Sequence, residues 1–587
     1  MTEIRKIFDL LELQKKYDKP IALAGKLTGE WEKYSSKEYL ENANLISYAL
    51  LKFGIKKGDK IGLIASNCPE WNFIDMGILQ TGAVVVPIYP NINENEYDFI
   101  LNHCEAEYIF IEDESLFAKI QNVIKASHHI KGVYSIAKFQ GVKYISDLYE
   151  IGKEFKDIEK LEAAKNNVEE TDIATIIYTS GTTGIPKGVV LSHLNLVSNF
   201  LTSGPLTQLD QNSVVLSFLP LCHVYERMLN YAWQLQGCSI YYVQSMGTIV
   251  DNIVEVKPHA FSAVPRLLEK VYDRILYKGR NLSLIKKTIF FWAVNLGLKF
   301  NLHHQNGWWY HFKLKIADIL VFKKWREALG GNIYVIVSGG AALQERIARV
   351  FWAANLRILE GYGLSETSPL ISVNNFNPNS IKFGTVGTII DGVEVKIAED
   401  GEILTRGPHI MQGYYKEPVM TSQVINDEGW FHTGDLGRFE EDRFLKITGR
   451  KKSIFKTSMG KYVSPELIED TVRESNFVEQ ILIIGEHQKF VGAIIVPDFQ
   501  YLHNWANIKG IGYIDDKTAV HHPKIRARFA KEIDKYNALF NPHEQIKKFE
   551  LISDIWTIQT GEFTPSMKLK RTFIEKKYRD KIEKLFK

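Results

Sequence analysis

The feature that most constrains this chain is the stretch from Tyr178 to Val189, which reads Tyr-Thr-Ser-Gly-Thr-Thr-Gly-Ile-Pro-Lys-Gly-Val. It follows a short apolar run, residues 174–178, that is typical of a buried strand. Three glycines and a row of small hydroxyl side chains allow backbone N–H groups to approach phosphate oxygens closely. The stretch therefore predicts a phosphate-binding loop.

The same stretch is not the common P-loop of nucleoside triphosphatases. That motif requires lysine and then a hydroxyl residue directly after its second glycine. Here Ile185 and Pro186 stand between Gly184 and Lys187, and Gly188 follows the lysine. We therefore expect nucleotide chemistry that differs from that of a P-loop enzyme.

Length and composition exclude several classes of protein. A chain of 587 residues is too long for one ordinary domain, and 45% hydrophobic with 24% charged residues is a globular balance. The net charge of +3 is too small to indicate a nucleic-acid-binding protein. The four cysteines form no C-x-x-C pair, so we expect neither a zinc site nor a disulfide framework.

No part of the sequence has the apolar length of a membrane anchor. Residues 1–16 alternate charged and apolar side chains, unlike a signal peptide, and no run reaches about 18 consecutive apolar residues. The expectation is a cytoplasmic protein in a reducing compartment, with membrane association left open.

Helix and strand patterns alternate along the first part of the chain, which predicts an α/β fold with parallel-rich sheets and helices packed on them. The helical patterns cover 34–53, 71–81 and 94–104, and the strand patterns cover 60–65, 84–88 and 108–111. Short runs between glycine, proline and aspartate at 384–438 predict a small β-rich subdomain. Residues 456–587 predict a separate small α/β domain, with strands at 481–484 and 491–496 and helices at 464–473 and 521–540.

Two further glycine-rich turns follow apolar strands. The run 332–337 leads into Ser338–Ala342, and the run 357–359 leads into Glu360–Thr367. Open parallel sheets bind ligands at the carboxyl ends of their strands. These turns are therefore predicted to border a ligand site.

Residues 270–326 differ in composition from the rest of the chain. They contain twelve Lys and Arg residues against two Asp residues, interleaved with aromatic side chains. One interpretation is an interfacial surface that faces anionic lipid, because aromatic rings settle at headgroup depth and lysine stems snorkel. The other is a helical hairpin that packs its rings into the core and solvates its charges.

The stretch from Tyr178 to Val189 resembles the signature of the AMP-forming acyl-adenylate enzymes, the superfamily of acyl-CoA synthetases, luciferases and adenylation domains. Other motifs follow in the family's order over nearly the whole chain. Within the superfamily, Leu219–Arg227, the 270–326 segment and Lys451–Pro465 most resemble long-chain fatty acyl-CoA synthetases.

The resemblance implies specific roles for residues of this sequence. Lys568, Thr367 and His223 would serve catalysis, and Glu366 would hold Mg²⁺, a hard cation that prefers carboxylate oxygen. The nucleotide-binding residues implied in the same way are Thr179, Ser180, Gly181, Thr182, Thr183, Gly184, Lys187, Gly339, Gly340, Ala341, Gly361, Tyr362, Gly363, Asp435 and Arg450.

The resemblance also implies the domain organisation. A large N-terminal domain would cover residues 1–451, and a small mobile C-terminal domain would cover 452–587 with its hinge near Lys452. A loop containing Lys456, Ser458, Met459 and Gly460 would serve the coenzyme A step. The position aligned with the family's pantetheine-passing glycine is Met459 in this chain, which departs from the pattern.

The function implied is ATP-dependent activation of a long-chain fatty acid. Acyl-AMP and pyrophosphate would form first, and coenzyme A would then displace AMP to give acyl-CoA. Two alternatives stay open at this point: an acyl-AMP ligase that passes the acyl group to a carrier protein, and a catalytically silent lipid-binding scaffold at a membrane.

Overall fold

The structure is a computed structural model that describes residues 3–27, 29–180, 186–243, 245–302, 305–451, 453–557, 559–564 and 569–587, without the side chains of Ser180 and Met246. The chain divides into two compact units. The first comprises Met1–Lys396, Leu404–His432 and Phe439–Leu445, and the second comprises Ile397–Ile403, Thr433–Arg438 and Lys446–Lys587.

The strands, in chain order, are β1 Leu23–Gly25, β2 Glu32–Tyr34, β3 Lys60–Ile64, β4 Val84–Pro87, β5 Tyr108–Ile111, β6 Gly132–Ser135, β7 Lys143–Tyr144, β8 Ile173–Ser180, β9 Pro186–Ser192, β10 Val214–Ser217, β11 Ser239–Tyr242, β12 Ala260–Ala263, β13 Val335–Ser338, β14 Arg357–Gly363, β15 Leu370–Val373, β16 Thr388–Ile389, β17 Glu394–Ile397, β18 Glu402–Arg406, β19 Gly413–Tyr414, β20 Phe431–Glu440, β21 Phe444–Arg450, β22 Phe455–Lys456, β23 Tyr462–Val463, β24 Val478–Ile484, β25 Val491–Pro497 and β26 Ile546–Leu551.

The α-helices are α1 Leu10–Tyr17, α2 Ser36–Lys52, α3 Pro69–Leu79, α4 Glu94–Cys104, α5 Glu114–Ala126, α6 Ile145–Glu154, α7 Ile158–Asn166, α8 His193–Ser203, α9 Val224–Leu235, α10 Ile249–Val256, α11 Pro265–Arg280, α12 Leu284–Gly297, α13 Gly307–Ala317, α14 Lys323–Ala328, α15 Glu345–Ala353, α16 Pro418–Ser422, α17 Pro465–Val472, α18 Phe499–Ile508, α19 Asp516–Ala519, α20 Pro523–Asn537, α21 Arg571–Lys577 and α22 Arg579–Phe586. A π-helical segment, Asp318–Phe322, joins α13 to α14.

Two large, mostly parallel sheets form the first unit. One has the order β16-β15-β14-β13-β12-β10-β11-β1-β2 and the other the order β19-β9-β8-β4-β3-β5-β6-β7. Antiparallel pairing is found where β14, β15 and β16 meet, where β1 meets β2, and where β8, β9 and β19 meet. The predicted α/β class with parallel-rich sheets is confirmed.

Helix α3 is buried on every side, because each of its residues from Pro69 to Leu79 is shielded from solvent. A helix that is apolar all round belongs to the interior. The amide of Asn72 is hydrogen-bonded inside the protein, because it donates to the Tyr242 hydroxyl at 2.8 Å and accepts from Asn230 at 2.7 Å.

A buried ion pair joins α3 to α9. Arg227 and Asp75 form a salt bridge with both side chains fully shielded from water. The Tyr231 hydroxyl donates to the second Asp75 oxygen at 2.6 Å, and Arg227 donates to the Thr175 hydroxyl of β8 at 2.7 Å. Burial raises the pKa of the Asp75 carboxyl, and the Arg227 guanidinium opposes that shift.

A four-stranded sheet with the order β17-β18-β20-β21 lies within residues 394–450. Its first three strands begin within the predicted β-rich subdomain at 384–438. The division between the two units passes through β18, β20 and β21. The short strands β16 and β19 from the same run join the edges of the two large sheets instead.

The rest of the second unit contains a hairpin, β22 and β23, and a three-stranded sheet. Within that sheet β24 and β25 pair antiparallel and β25 and β26 pair parallel. The predicted strands and helices of this region are present. Within the described ranges, no helix combines the length and apolar character needed to cross a bilayer.

The buried ion pair makes a prediction about stability. Substitution of Asp75 by Asn leaves the Arg227 charge buried without its counter-charge, and we expect a loss of about 3 to 5 kcal/mol in the free energy of unfolding. Thermal unfolding measures this loss of stability. The double variant Asp75→Leu/Arg227→Met should lose less stability than Asp75→Asn. A Glu107→Gln control, which breaks the exposed pair with Lys131, should not shift the transition. Equal transitions for Asp75→Asn and this control would contradict the role of the pair.

Candidate active site

The strands on either side of the glycine-rich residues, β8 and β9, pair antiparallel in the second large sheet. Strand β8 pairs with β9 in a register that places Thr179 opposite Lys187 and Ser180 opposite Pro186. The predicted phosphate-binding residues Gly181, Thr182, Thr183 and Gly184 lie outside the described residues. The loop therefore connects two strands, whereas a P-loop leads directly into a helix.

Lys187 and Glu366 are brought together by Tyr414. The Lys187 ammonium lies 5.2 Å from the centre of the Tyr414 ring, and the Tyr414 hydroxyl donates to Glu366 Oε1 at 2.9 Å. Strand β19 fixes this arrangement by pairing Tyr414 with Val189 of β9. A predicted phosphate-binding residue and the predicted metal ligand therefore share one neighbour.

The Glu366 carboxylate fits the chemistry of Mg²⁺. It is half-buried, and the Tyr414 hydroxyl orients it through one of its two oxygens. Mg²⁺ keeps several waters and is usually bound by one or two carboxylates together with substrate phosphates. No cluster of three or more His, Cys, Asp or Glu side chains suited to a metal occurs in the described part of the chain. One carboxylate that shares the neighbour Tyr414 with Lys187 is thus an arrangement that suits a metal shared with a nucleotide.

Thr367 directly follows the candidate metal ligand and is completely buried. Its hydroxyl accepts from the Leu364 amide at 2.9 Å and donates to the backbone, with the carbonyls of Leu364 and Pro369 as acceptors. These bonds hold the 3₁₀ turn Ser365–Thr367 in place. In this structure Thr367 therefore orients the turn that carries Glu366.

The turn after β13 is held against α9 by Tyr225. The Tyr225 hydroxyl donates to the Val337 carbonyl at 3.0 Å. A Cβ atom on Gly339 would lie 3.2 Å from the Tyr225 ring, and the carbonyl of Gly361 lies close to the same point. Gly340 takes a φ of +84°, which favours glycine. Three of the predicted nucleotide-binding glycines are thus near neighbours.

Strand β14 extends further than the sequence predicts. The run 357–359 was expected to end in a glycine turn, but the strand continues to Gly363 and pairs antiparallel with β15. A Cβ atom on Gly361 would meet Leu370 at 2.9 Å, and one on Gly363 would overlap the Pro369 carbonyl oxygen. These glycines permit close approach of two strands. Tyr362 lies between them and is half-buried.

A buried carboxyl connects β14 to the turn after β13. Glu360 Oε1 accepts a hydrogen bond from the Leu343 amide at 2.9 Å, and Ala341 lies exposed in the same turn. Burial raises the pKa of Glu360 to about 8, and the Leu343 amide opposes that shift. Near neutral pH this carboxyl is therefore largely protonated.

His223 stands at the N-cap of α9. Its Nδ1 accepts from the Tyr225 amide at 3.2 Å, so the neutral ring carries its proton on Nε2. The imidazole is half-buried. Four residues later Arg227 ties the same helix to β8, so the orientation of His223 depends on the buried ion pair.

Asp435 and Arg450 of the second unit pair with each other. Arg450 Nε lies 3.2 Å from Asp435 Oδ1. The backbone beside them is fixed as well, because the Lys451 amide donates to the Gly434 carbonyl at 2.8 Å. A carboxylate can accept two hydroxyl protons, and Asp435 retains a small exposed fraction, which suits contact with a ribose.

The predicted coenzyme A loop is the tip of the β22–β23 hairpin. The Gly460 amide donates to the Thr457 carbonyl at 2.9 Å, and Gly460 takes a φ of +78°. Met459 is 76% exposed. Glycine therefore occupies the position that demands a left-handed backbone, one residue after Met459. Lys456 and Ser458 belong to the same hairpin, and the Ser458 amide donates to the Gln488 carbonyl.

Two further predicted residues lie outside the described residues, the candidate catalytic Lys568 and the candidate hinge Lys452. The sequence analysis assigned no role to Tyr414, Tyr225 or Glu360. For Tyr414, the available signal was the segment Gln412–Tyr415, where two tyrosines follow a glycine.

Comparison with known proteins identifies a family for this chain. The profile of the AMP-binding enzyme family matches residues 12–415, and that of the AMP-binding enzyme C-terminal domain matches residues 452–587. The chain belongs to the AMP-binding enzyme family. Its sequence is 33% identical over 575 residues to the long-chain-fatty-acid–CoA ligase FadD15 of Mycobacterium bovis, covering 95% of this chain and 93% of that protein.

A second relative and two solved structures are also similar to this chain. Human long-chain-fatty-acid–CoA ligase 1 is 30% identical over 599 residues, covering 95% of this chain and 82% of that protein. The anthranilate CoA ligase AuaEII in complex with anthranoyl-AMP superposes with a TM-score of 0.73 at 18% identity, covering 97% of each chain. A Mycobacterium tuberculosis fatty acyl CoA synthetase gives 0.64 at 18% identity, covering 99% of this chain and 100% of that one. The AMP-binding enzyme shares its fold with both.

The buried Glu360 carboxyl predicts a pH dependence of stability. Because its pKa lies near 8 in the folded protein and 4.5 is its ordinary value, folding favours the protonated form. Its contribution is complete below about pH 4.5 and is lost as the pH rises to 8. The neutral variant Glu360→Gln should lack this loss, so from pH 5 to 8.5 the wild type should lose roughly 3 to 5 kcal/mol more.

Calorimetric unfolding at several pH values measures this difference. Replacement of the exposed Glu41 by Gln provides a matched control that should follow the wild-type profile. Parallel pH profiles for the wild type and the Glu360→Gln variant would show that this carboxyl ionises normally in the folded protein.

Proposed function

We propose that this protein is an AMP-forming ligase that activates a long-chain fatty acid with ATP and transfers the acyl group to coenzyme A. The observation that carries the proposal is the end-to-end similarity, at about 30% identity, to relatives named long-chain-fatty-acid–CoA ligases. The grouping of Lys187, Tyr414 and Glu366 beside the glycine-rich hairpin supports it, because adenylation requires neutralisation of phosphate charge.

In the first half-reaction the fatty acid carboxylate attacks the α-phosphate of ATP and displaces pyrophosphate. Both partners are anionic, so the protein contributes by positioning them and by neutralising charge. In the proposal the glycine-rich loop and Lys187 bind phosphate oxygens, and Glu366 holds Mg²⁺, which would supply further charge neutralisation when bound. Lys568 is proposed to stabilise the charge that develops between carboxylate and phosphate.

The remaining site residues are assigned to the nucleotide and the acyl group. The turn Ser338–Ala342 and Tyr362 are proposed to contact adenine, and Asp435 with Arg450 to contact the ribose. His223 is proposed to lie near the acyl carboxylate, where the proton on Nε2 would allow it to donate a hydrogen bond.

In the second half-reaction the thiol of coenzyme A attacks the acyl carbonyl and releases AMP. The hairpin with Lys456 and Ser458 is proposed to serve this step. Gly460 supplies the left-handed turn there, one position after Met459. An acyl-carrier protein is the alternative acceptor that the sequence leaves open, whereas the relatives are named as CoA ligases.

We further propose that the acyl substrate reaches the protein from a membrane surface. Long acyl chains partition into bilayers, since each buried CH₂ contributes about 0.8 kcal/mol.

The reaction is tested by measuring pyrophosphate and acyl-CoA side by side with palmitate, ATP, Mg²⁺ and coenzyme A. We expect both products at equal rates, and neither product when acetate replaces palmitate. Pyrophosphate without acyl-CoA would redirect the second step to a phosphopantetheinylated carrier protein, which the same assay can test. Absence of both products would contradict the ligase and favour a lipid-binding scaffold.

The Tyr414 hydroxyl provides a test of the metal site. Tyr414→Phe removes the hydrogen bond to Glu366 but keeps the ring beneath Lys187. Loss of an orienting partner typically weakens metal binding by about tenfold or more. We therefore expect the Mg²⁺ concentration for half-maximal pyrophosphate release to rise about tenfold, with the Tyr415→Phe variant as the matched control. An unchanged Mg²⁺ requirement in Tyr414→Phe would exclude Glu366 as the ligand.

A further inference from the structure

An apolar surface on α13 and the π-helical segment is exposed to solvent. Its members recur every three or four residues, which places them on one face of the helix. This exposed stripe consists of Trp308 at 78% exposure, Trp309 at 52%, Phe312 at 49%, Ile316 at 38%, Ile319 at 69% and Leu320 at 44%.

The opposite face of the same helix is firmly packed. Ala317 and Phe322 are completely buried, and Trp325 of α14 is 6% exposed. The Tyr310 hydroxyl donates to the Leu296 carbonyl of α12 at 2.8 Å. The exposed stripe is therefore the outer face of an anchored helix.

The structure divides the aromatic residues of the 270–326 segment between two environments. Phe290 is buried in the core, as the hairpin interpretation expects. Trp308, Trp309 and Phe312 are exposed, and the Trp309 and Phe312 rings stack on each other at 5.5 Å. Exposed rings in contact with one another form a continuous apolar surface, which in a soluble chain marks an interaction site.

The segment that carries this surface is rich in lysine. Residues 282–324 contain seven lysines and one acidic residue, Asp318, which pairs with Arg326. The Lys313 ammonium lies 5.2 Å from the Trp309 ring. The start of α12 also combines exposed apolar side chains with lysines. Leu284 is 84% exposed and Ile285 is 77% exposed, and two lysines follow them directly.

We propose that the exposed stripe docks on a bilayer that contains anionic lipids. Tryptophan rings settle at headgroup depth, apolar side chains enter the acyl boundary, and lysines pair with anionic headgroups. A second copy of this chain is a poorer partner, since a two-fold interface would bring the same lysines together. The role in substrate delivery rests on the proposed function, whereas docking itself rests on this surface alone.

Co-sedimentation of the full chain with vesicles tests the proposal, without ATP or fatty acid. Vesicles of phosphatidylcholine mixed with phosphatidylglycerol should bind more protein than phosphatidylcholine alone, and added salt should weaken this binding. The variant Trp308→Ser/Phe312→Ser/Ile319→Ser should bind at least about tenfold more weakly. Lys315→Gln/Lys324→Gln should lose about fivefold per lysine.

A matched control replaces three apolar residues of the second unit that are at least as exposed. The variant Ile508→Ser/Ile514→Ser/Leu539→Ser, with exposures of 82%, 93% and 69%, should bind vesicles as the wild type does. Equal binding by the stripe variant and the wild type, or equal binding to both lipid mixtures, would overturn the proposal. A wild-type dimer that the stripe variant dissociates, with no vesicle binding, would assign the stripe to self-association and also overturn it.

Activity with detergent-dispersed palmitate separates this proposal from the ligase reaction. The stripe variant should keep wild-type activity there, because its residues lie outside the candidate active site. Loss of vesicle binding with retained activity supports docking, whereas an inactive wild type that still binds vesicles contradicts only the ligase.

Discussion

The Arg227 guanidinium, completely shielded from water, governs the arrangement of the first unit. A buried charge is tolerated only when it is paired and hydrogen-bonded, and here Asp75, Tyr231 and Thr175 satisfy it. These partners lie on α3, α9 and β8, so a single side chain fixes three elements at once. His223 caps α9, and β8 ends where the predicted phosphate-binding residues begin. The relative position of two predicted site features thus depends on this network.

Sequence reasoning recovered those parts of the fold that depend on local pattern. The helix predicted at 94–104 and the strand at 108–111 have the same bounds in the structure. The burial of Asp75 could not be predicted from local pattern, because a carboxylate in an amphipathic helix would ordinarily face water. Its burial follows from a helix enclosed on every side, and its partner is 152 residues away along the chain. Such a pairing has no signature in one sequence.

Within the candidate site, glycine positions were the least reliable indicators of backbone conformation. Gly340 and Gly460 adopt the left-handed backbone that turn residues often take, whereas Gly361 and Gly363 lie inside a strand, where a side chain would collide with Leu370 or with the Pro369 carbonyl. Both uses look alike in a sequence. The role of Tyr414 could not be predicted for a different reason. Its contact with Glu366 arises from the pairing of β19 with β9 at the edge of a sheet.

The long separation between Asp75 and Arg227 also affects how the chain is made. A ribosome adding about 5 to 20 residues per second needs about 8 to 30 seconds to proceed from one to the other. The delay before pairing is longer for β1, because its partner β11 is synthesised later. Leu23 of β1 pairs with Ile240 of β11. During this interval α3 lacks the Arg227 partner of Asp75 and β1 lacks its β11 neighbour, so part of their buried surface stays exposed. The nascent N-terminal third is therefore a natural client for chaperones that protect unfinished chains.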